Sequence, residues 1–125
     1  MEQTVTGTGL SVISYLYDKI TNNQELTSVL GDRIFPLVAE EGTEYPYLIM
    51  KLESILPAYS KDGRVYDNIT VSTSVYAKDY KTVAEIQESV RSLLESNSFK
   101  LETFSEDFNS DAYRQTVHYR TYYKN

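Results

Sequence analysis

No cysteine and no tryptophan occur in the 125 residues, and histidine occurs once. Without cysteine there is no disulfide framework and no thiolate metal site, which fits a chain made in a reducing cytoplasm. No run approaches the ~18 consecutive apolar residues of a membrane span. The start, MEQTVTGTGLSVISYLYDK, lacks the basic residues and apolar run of a signal peptide. A soluble chain is therefore expected. Positive charge is scarce too: 12 Lys and Arg stand against 18 Asp and Glu, for a net charge of -6. A phosphate backbone needs a cationic surplus, so specific nucleic-acid binding across an open face is not expected. An acidic surface would instead let DNA slide past without sticking.

What the chain does have is length for one domain, expected over 1–125, and twelve tyrosines. Tyrosine carries an apolar body and a polar tip and is enriched in strands and in subunit interfaces. Leu10, Ile13, Leu16 or Tyr17, and Ile20 recur at helical spacing after Gly7 and Gly9, with Asn22 and Asn23 as the stop. A short helix is expected from Gln24 to Leu30, capped by Asn23 and ended by Gly31. Arg33 to Leu37 reads as a short edge strand cut by Pro36. Tyr47 to Leu56 reads as a longer strand ending at Pro57. Lys61-Asp62-Gly63-Arg64 reads as a hairpin tip.

The return strand alternates strictly. Ile69, Val71, Thr73, Val75 and Ala77 share one face, and Thr70, Ser72, Ser74 and Tyr76 the other, so one face packs while the other meets water or a partner. Thr82-Val83-Ala84-Glu85 has the form of a capping box. It opens a helix whose Val83, Ile86, Val90, Leu93 and Leu94 form one stripe, stopping near Asn97. Strands over Phe99 to Phe104 and Tyr113 to Tyr123, separated by the acidic turn SEDFNSD, close the chain. The order is α-α-β-β-β-α-β-β. The expected fold is α+β, with an antiparallel sheet of about four strands, two main helices on one face and a short extra helix.

Chemistry is sparse. A Ser-His-acid triad would have to use His118, and nothing in the sequence pairs it with a serine or an orienting acid. A surface strand histidine is the simpler reading. Gly7-Thr8-Gly9 lacks the third glycine and preceding strand of a dinucleotide fingerprint, and no phosphate-binding loop exists. Asn68-Ile69-Thr70 matches a glycosylation sequon only by chance in a chain without a secretory signal. Glu40, Glu41 and Glu44, and Glu102, Glu106, Asp107 and Asp111, are grouped acids, yet no spacing resembles a calcium loop. No catalytic residue, metal or cofactor is expected.

Surface organisation is more informative. Arg114, His118, Arg120 and Lys124 share one face of the last strand with Tyr122, while Tyr113, Val117, Tyr119 and Tyr123 share the other. This basic stripe on an acidic protein suits head-to-tail association with a neighbour's carboxylates. Cross-strand pairing within one sheet would use the same charges equally well.

Read in order, Gly31, Asp32, Arg33, Ile34, Phe35, Pro36, an acidic loop, and Pro46-Tyr47-Leu48-Ile49 resemble the tail terminator, or head-to-tail joining, proteins of long-tailed bacteriophages. Many of these carry a similar G-x-R-I-F-P start and P-Y-[IL] strand opening. The resemblance continues through Val75-Tyr76-Ala77, Ile86, Leu93-Leu94 and Tyr113-Arg114, and so covers nearly the whole chain. It implies a ring, typically of six subunits, capping the head-proximal end of the tail tube at the tail-neck junction of the virion. The implied partners are the tube protein and a neck or head completion protein, with DNA passing through the lumen and no membrane. Assembly would take place in the host cytoplasm. The contacts expected on this reading are Glu40, Glu41 and Glu44, the tip residues Lys61, Asp62 and Arg64, and Arg114 and Arg120. The alternatives are another phage neck or minor tail protein, or a small soluble α+β ligand-binding domain.

Overall fold

Apolar residues four apart along SVISYLYDKI wind into a helix, and the computed structural model places Val12, Leu16 and Ile20 on its buried side. The structure describes residues 11–61, 63–109 and 111–124, without the side chains of Ser60, Arg64, Val65, Tyr123 and Lys124. Gly7, Gly9, Leu10 and Asp62 lie outside the described residues, as do the side chains of Arg64, Tyr123 and Lys124. Helix α1 runs Val12–Thr21 and α2 runs Gln24–Leu30. The Asn23 side chain accepts the Leu26 N–H at 3.0 Å, satisfying one orphan donor of the first turn. At the far end Gly31 has φ +61 and donates its N–H to Thr27 O. A side chain at that position would be strained.

Strands β1 (Ile34–Pro36), β2 (Tyr47–Ser60), β3 (Gly63–Ala77), β4 (Lys100–Asn109) and β5 (Ala112–Lys124), with helix α3 (Tyr80–Glu95), complete the chain. Element order is as the sequence reading expected. The sheet is not. It has five strands in the order β1-β2-β3-β5-β4, and β1 pairs with β2 in parallel, so the sheet is mixed rather than a four-stranded antiparallel one. Three residues joined to β2 by a ten-residue loop can run alongside it in the same direction, where a tight hairpin could not. Pro36 does sit on the edge strand, where its missing N–H costs least.

Three boundaries also differ. β2 continues through Pro57 to Ser60, because β1 covers β2 only as far as Met50 and a proline is tolerated where the outer edge carries no ladder. α3 starts at Tyr80, not Thr82. The Asp79 carboxylate accepts both the N–H and the hydroxyl of Thr82 at 3.0 Å, and a charged cap at the positive helix end outcompetes the expected box. The polar stretch Ser105–Asn109, expected as part of an acidic turn, is strand and pairs with 112–116 of β5; Ser110 lies outside the described residues.

The registers Leu48↔Val75, Thr73↔Val117 and Val71↔Tyr119 put the buried apolar side chains Leu48, Met50, Ile69, Val71, Val75, Val117 and Tyr119 on one face. The helices contribute Leu26, Leu30, Val83, Ile86, Val90 and Leu94 to the same core. Buried in its middle, Gln87 donates Nε2–H to Gln115 O at 2.9 Å and accepts the Thr73 hydroxyl at 3.1 Å. Tyr119, on β5, is also fully buried in this core. Burial holds that phenol well above its ordinary pKa.

Candidate functional site

The glycine-to-proline segment that carries the sequence resemblance has a structural task. Arg33 Nε donates to Pro46 O at 2.8 Å and Nη2 donates to Val29 O at 3.2 Å. One guanidinium thus ties the end of α2 to the start of β2, a fork that a lysine could not reproduce. Leu48 N donates to Arg33 O, and Leu37 N to Met50 O, locking β1 along β2. Ile34 is buried, and the ring of Phe35 meets Tyr47 edge-on at 6.4 Å. Glu40, Glu41 and Glu44 project from the intervening loop, all exposed. Within the loop, Thr43 N and its hydroxyl both donate to Glu40 O, and the Tyr45–Pro46 peptide is cis.

Away from the helices, the open face of the sheet carries the expected stripe of Arg114, His118, Arg120 and Tyr122. It is not a free basic stripe. Arg114 donates to the Asp107 carboxylate, Arg120 Nε lies 3.2 Å from Glu102, and His118 Nε2 lies 3.7 Å from Glu53. Glu53 also accepts the Ser72 hydroxyl at 2.7 Å. The two arginines thus pair first within their own sheet, the in-sheet use of these charges that the pattern allowed.

At the end of this face, away from the hairpin tip, three tyrosines stack. Tyr45 lies 5.5 Å from Tyr47, and Tyr47 lies 4.6 Å from Tyr76, both nearly parallel. They line a hollow of about 460 Å³ with Asp107, Asp111 and Arg114. The Tyr76 hydroxyl, more than Asp107, holds the Arg114 guanidinium above its ordinary pKa against the cost of its burial. Burial, then the Asp111 carboxylate, raises Tyr45; burial, then Tyr76, raises Tyr47. Arg114 and Asp107 pair with each other in this hollow, Asp111 adds a second carboxylate, and the stacked rings form its aromatic wall. The hollow is suited to packing rather than to proton transfer at neutral pH.

A second hollow, of about 500 Å³, runs between α2 and α3. Leu26, Val29 and Ile86 supply its apolar surface, and Glu25, Glu85 and Glu88 stand around it. Sequence reasoning passed over it, although Val29 is an apolar residue off the buried stripe of α2. Edge strand β4 is almost wholly exposed, with Phe104 and Phe108 accessible. The tip residue Lys61 is exposed, and near it Leu56 and Tyr59 stand 63% and 71% exposed. Among the described residues, no group of three or more His, Asp or Glu is arranged to hold a metal ion, and no helix is long and apolar enough to cross a membrane.

Comparison with known proteins bears on this surface-dominated molecule. Residues 14–124 match the sequence profile of a family described as tail completion protein gp17. Among solved structures, a chain from the virion of a native gene transfer agent particle superposes with a TM-score of 0.65 at 13% sequence identity. The match covers 88% of this chain and 92% of that one. At that identity the likeness is one of fold. Curated protein sequences return no match.

Proposed function

Since the chain belongs to the tail completion protein gp17 family, and is thereby a structural protein of the phage tail, we propose that it forms a ring on the head-proximal end of the tail tube. The ring, of six copies, ends tube polymerisation and presents the surface that joins the tail to a neck or head completion protein. The observation that carries this reading is the family match over 111 consecutive residues, 14 to 124. The surface supports it. Ten large apolar side chains are exposed among the described residues, on α1, α2, the 37–38 turn, β2, α3, β4 and β5, a distribution suited to several contacts rather than one pocket. The acidic balance of -6 suits a lumen that lets DNA pass without holding it. Glu40, Glu41 and Glu44, projecting from a loop anchored at both ends, are assigned to contact with the tube or neck.

Tube length tests the proposal. Tube protein polymerised with this chain present is expected to give tubes of bounded length, capped at one end and competent to bind heads. Without it, overlong uncapped tubes are expected. Equal tube lengths in both preparations, with heads still joining, would exclude the terminator role and favour another neck or minor tail protein.

A further inference from the structure

The sheet ends in two open edges that belong to different strands. In the order β1-β2-β3-β5-β4, strand β4 forms one edge along its whole length. At the other end β1 accompanies β2 only from Leu48 to Met50. Beyond Met50, β2 runs on to Ser60 with no strand among the described residues on its outer side. Such an edge presents a row of backbone donors and acceptors ready to pair with another strand.

The most accessible apolar surface lies on the same two edges. Among the described residues, the five most exposed large apolar side chains are Tyr59, Val38, Leu37, Leu56 and Phe108. Phe108 is on β4, and Leu56 and Tyr59 are on the uncovered part of β2. Leu37 and Val38 form the turn where β1 leaves β2, with Leu37 N donating to Met50 O. The faces agree as well. Phe104 lies opposite Val117 and Phe108 opposite Tyr113, which sets both on the helix side of β4. Leu52 opposite Val71 and Ile55 opposite Ile69 stand on that same side of β2, each half-buried.

Strand direction agrees too. β4 is antiparallel to β5, β5 to β3 and β3 to β2, so β4 is antiparallel to β2. A second copy turned about an axis close to the strand direction keeps that relation. It brings its β4 alongside the free part of β2 in the sense of an antiparallel ladder.

We propose that β4 of one copy pairs with the β2 edge beyond Met50 of the next copy, so that the sheet continues from subunit to subunit. Phe108 then meets Leu52 and the 37–38 turn, and Phe104 meets Ile55 and Pro57. The occupant is a second copy because one chain carries both edges, matched in direction and in apolar face, at opposite ends of its sheet. Contact between two different edges is head-to-tail, and its repetition closes a ring in which neither edge stays open. Register shifts confine the regular ladder to Ser54–Ala58 against part of Thr103–Asn109, and Pro57 has no N–H to give it. These interruptions disfavour pairing with unrelated edges. The inference rests on the ring reading and names its subunit interface.

The absence of cysteine from the chain makes disulfide trapping the direct test. Leu56, opposite Asn68, and Ser105, opposite Thr116, both face the open side of the sheet, on opposite edges. A full chain carrying Leu56→Cys and Ser105→Cys, oxidised with diamide, is expected to give a ladder of covalent oligomers up to the ring size on non-reducing gels. Ser54→Cys with Ser105→Cys covers the neighbouring register. Each single-cysteine chain is expected to stay uncrosslinked, since the two edges meet only each other. Phe104→Ser with Phe108→Ser is expected to raise the apparent dissociation constant for self-association on the order of 10- to 100-fold, with the circular dichroism spectrum unchanged. Rings in negative stain with no ladder from either double-cysteine chain overturn the edge contact and leave the ring reading intact. Dimers from Ser105→Cys alone also overturn it, because β4 would then pair with its own copy about a two-fold axis. A wild-type chain that forms no ring, alone or on tube ends, overturns the ring reading and this interface with it.

Discussion

Leu48→Ala is expected to lower stability by about 3 kcal/mol. Leu48 is fully buried and sits in the parallel β1–β2 junction, opposite Ile34 on one side and Val75 on the other. Its side chain is enclosed by two strands and covered by the helix layer, so the surrounding backbone has little freedom to collapse into the space left. The loss is then the transfer free energy of the deleted carbons plus the cavity. For a domain of this size, that corresponds to a fall in Tm on the order of 10 °C. Chemical denaturation of the two proteins, at equal slope, measures it. A change under about 1 kcal/mol would mean that β1 does not close over this residue.

Gln87→Leu carries the second large effect, about 2 kcal/mol. The side chain is one of few buried polar groups facing the sheet, and it bridges the Thr73 hydroxyl and the Gln115 carbonyl. Leucine of similar size removes both bonds inside the core, and the penalty comes from polar groups left underbonded away from water rather than from any lost volume. The distinguishing measurement is a double-mutant cycle. With Thr73→Val in place, Gln87→Leu is expected to cost clearly less, because one of the two orphaned groups has been removed. Strict additivity would show that the Thr73–Gln87 bond contributes nothing.

These two sites mark where sequence reading reached and where it stopped. Alternation along β3 and the apolar stripe of α3 identified the core faces, because period two and period 3.6 are local properties of the chain. Asn23 and Gly31 bounded α2 correctly for the same reason: a cap needs only its own turn. The parallel pairing of Ile34–Pro36 was not legible, since three residues have no periodicity and their direction is set by a loop folding over β2. Nor was the extension of β4 through Glu106 and Asp107. That polar stretch is strand only because Gln115 and Arg114 lie opposite it. Around Asp79 and Thr82 two capping signals overlapped, and the charged one prevailed.

At the surface, residue identity was legible and register was not. The stripe of Arg114, His118 and Arg120 followed from counting by twos. Its engagement by Asp107, Glu53 and Glu102 depends on strand order, including β5 standing between β3 and β4. The hollow between α2 and α3 depends on helix packing and has no local signature beyond the exposed Val29. Arg33 is the converse case. It was singled out as part of a resemblance, and its two hydrogen bonds to the Val29 and Pro46 carbonyls give that resemblance a physical cause.

Ring formation is the central claim, and direct imaging of the purified, concentrated protein tests it. Negative-stain micrographs are expected to show closed rings with a central hole, six-fold in class averages, either in free solution or after addition of tail tubes. Particles that remain monomeric in solution, with tube ends left bare, would contradict it.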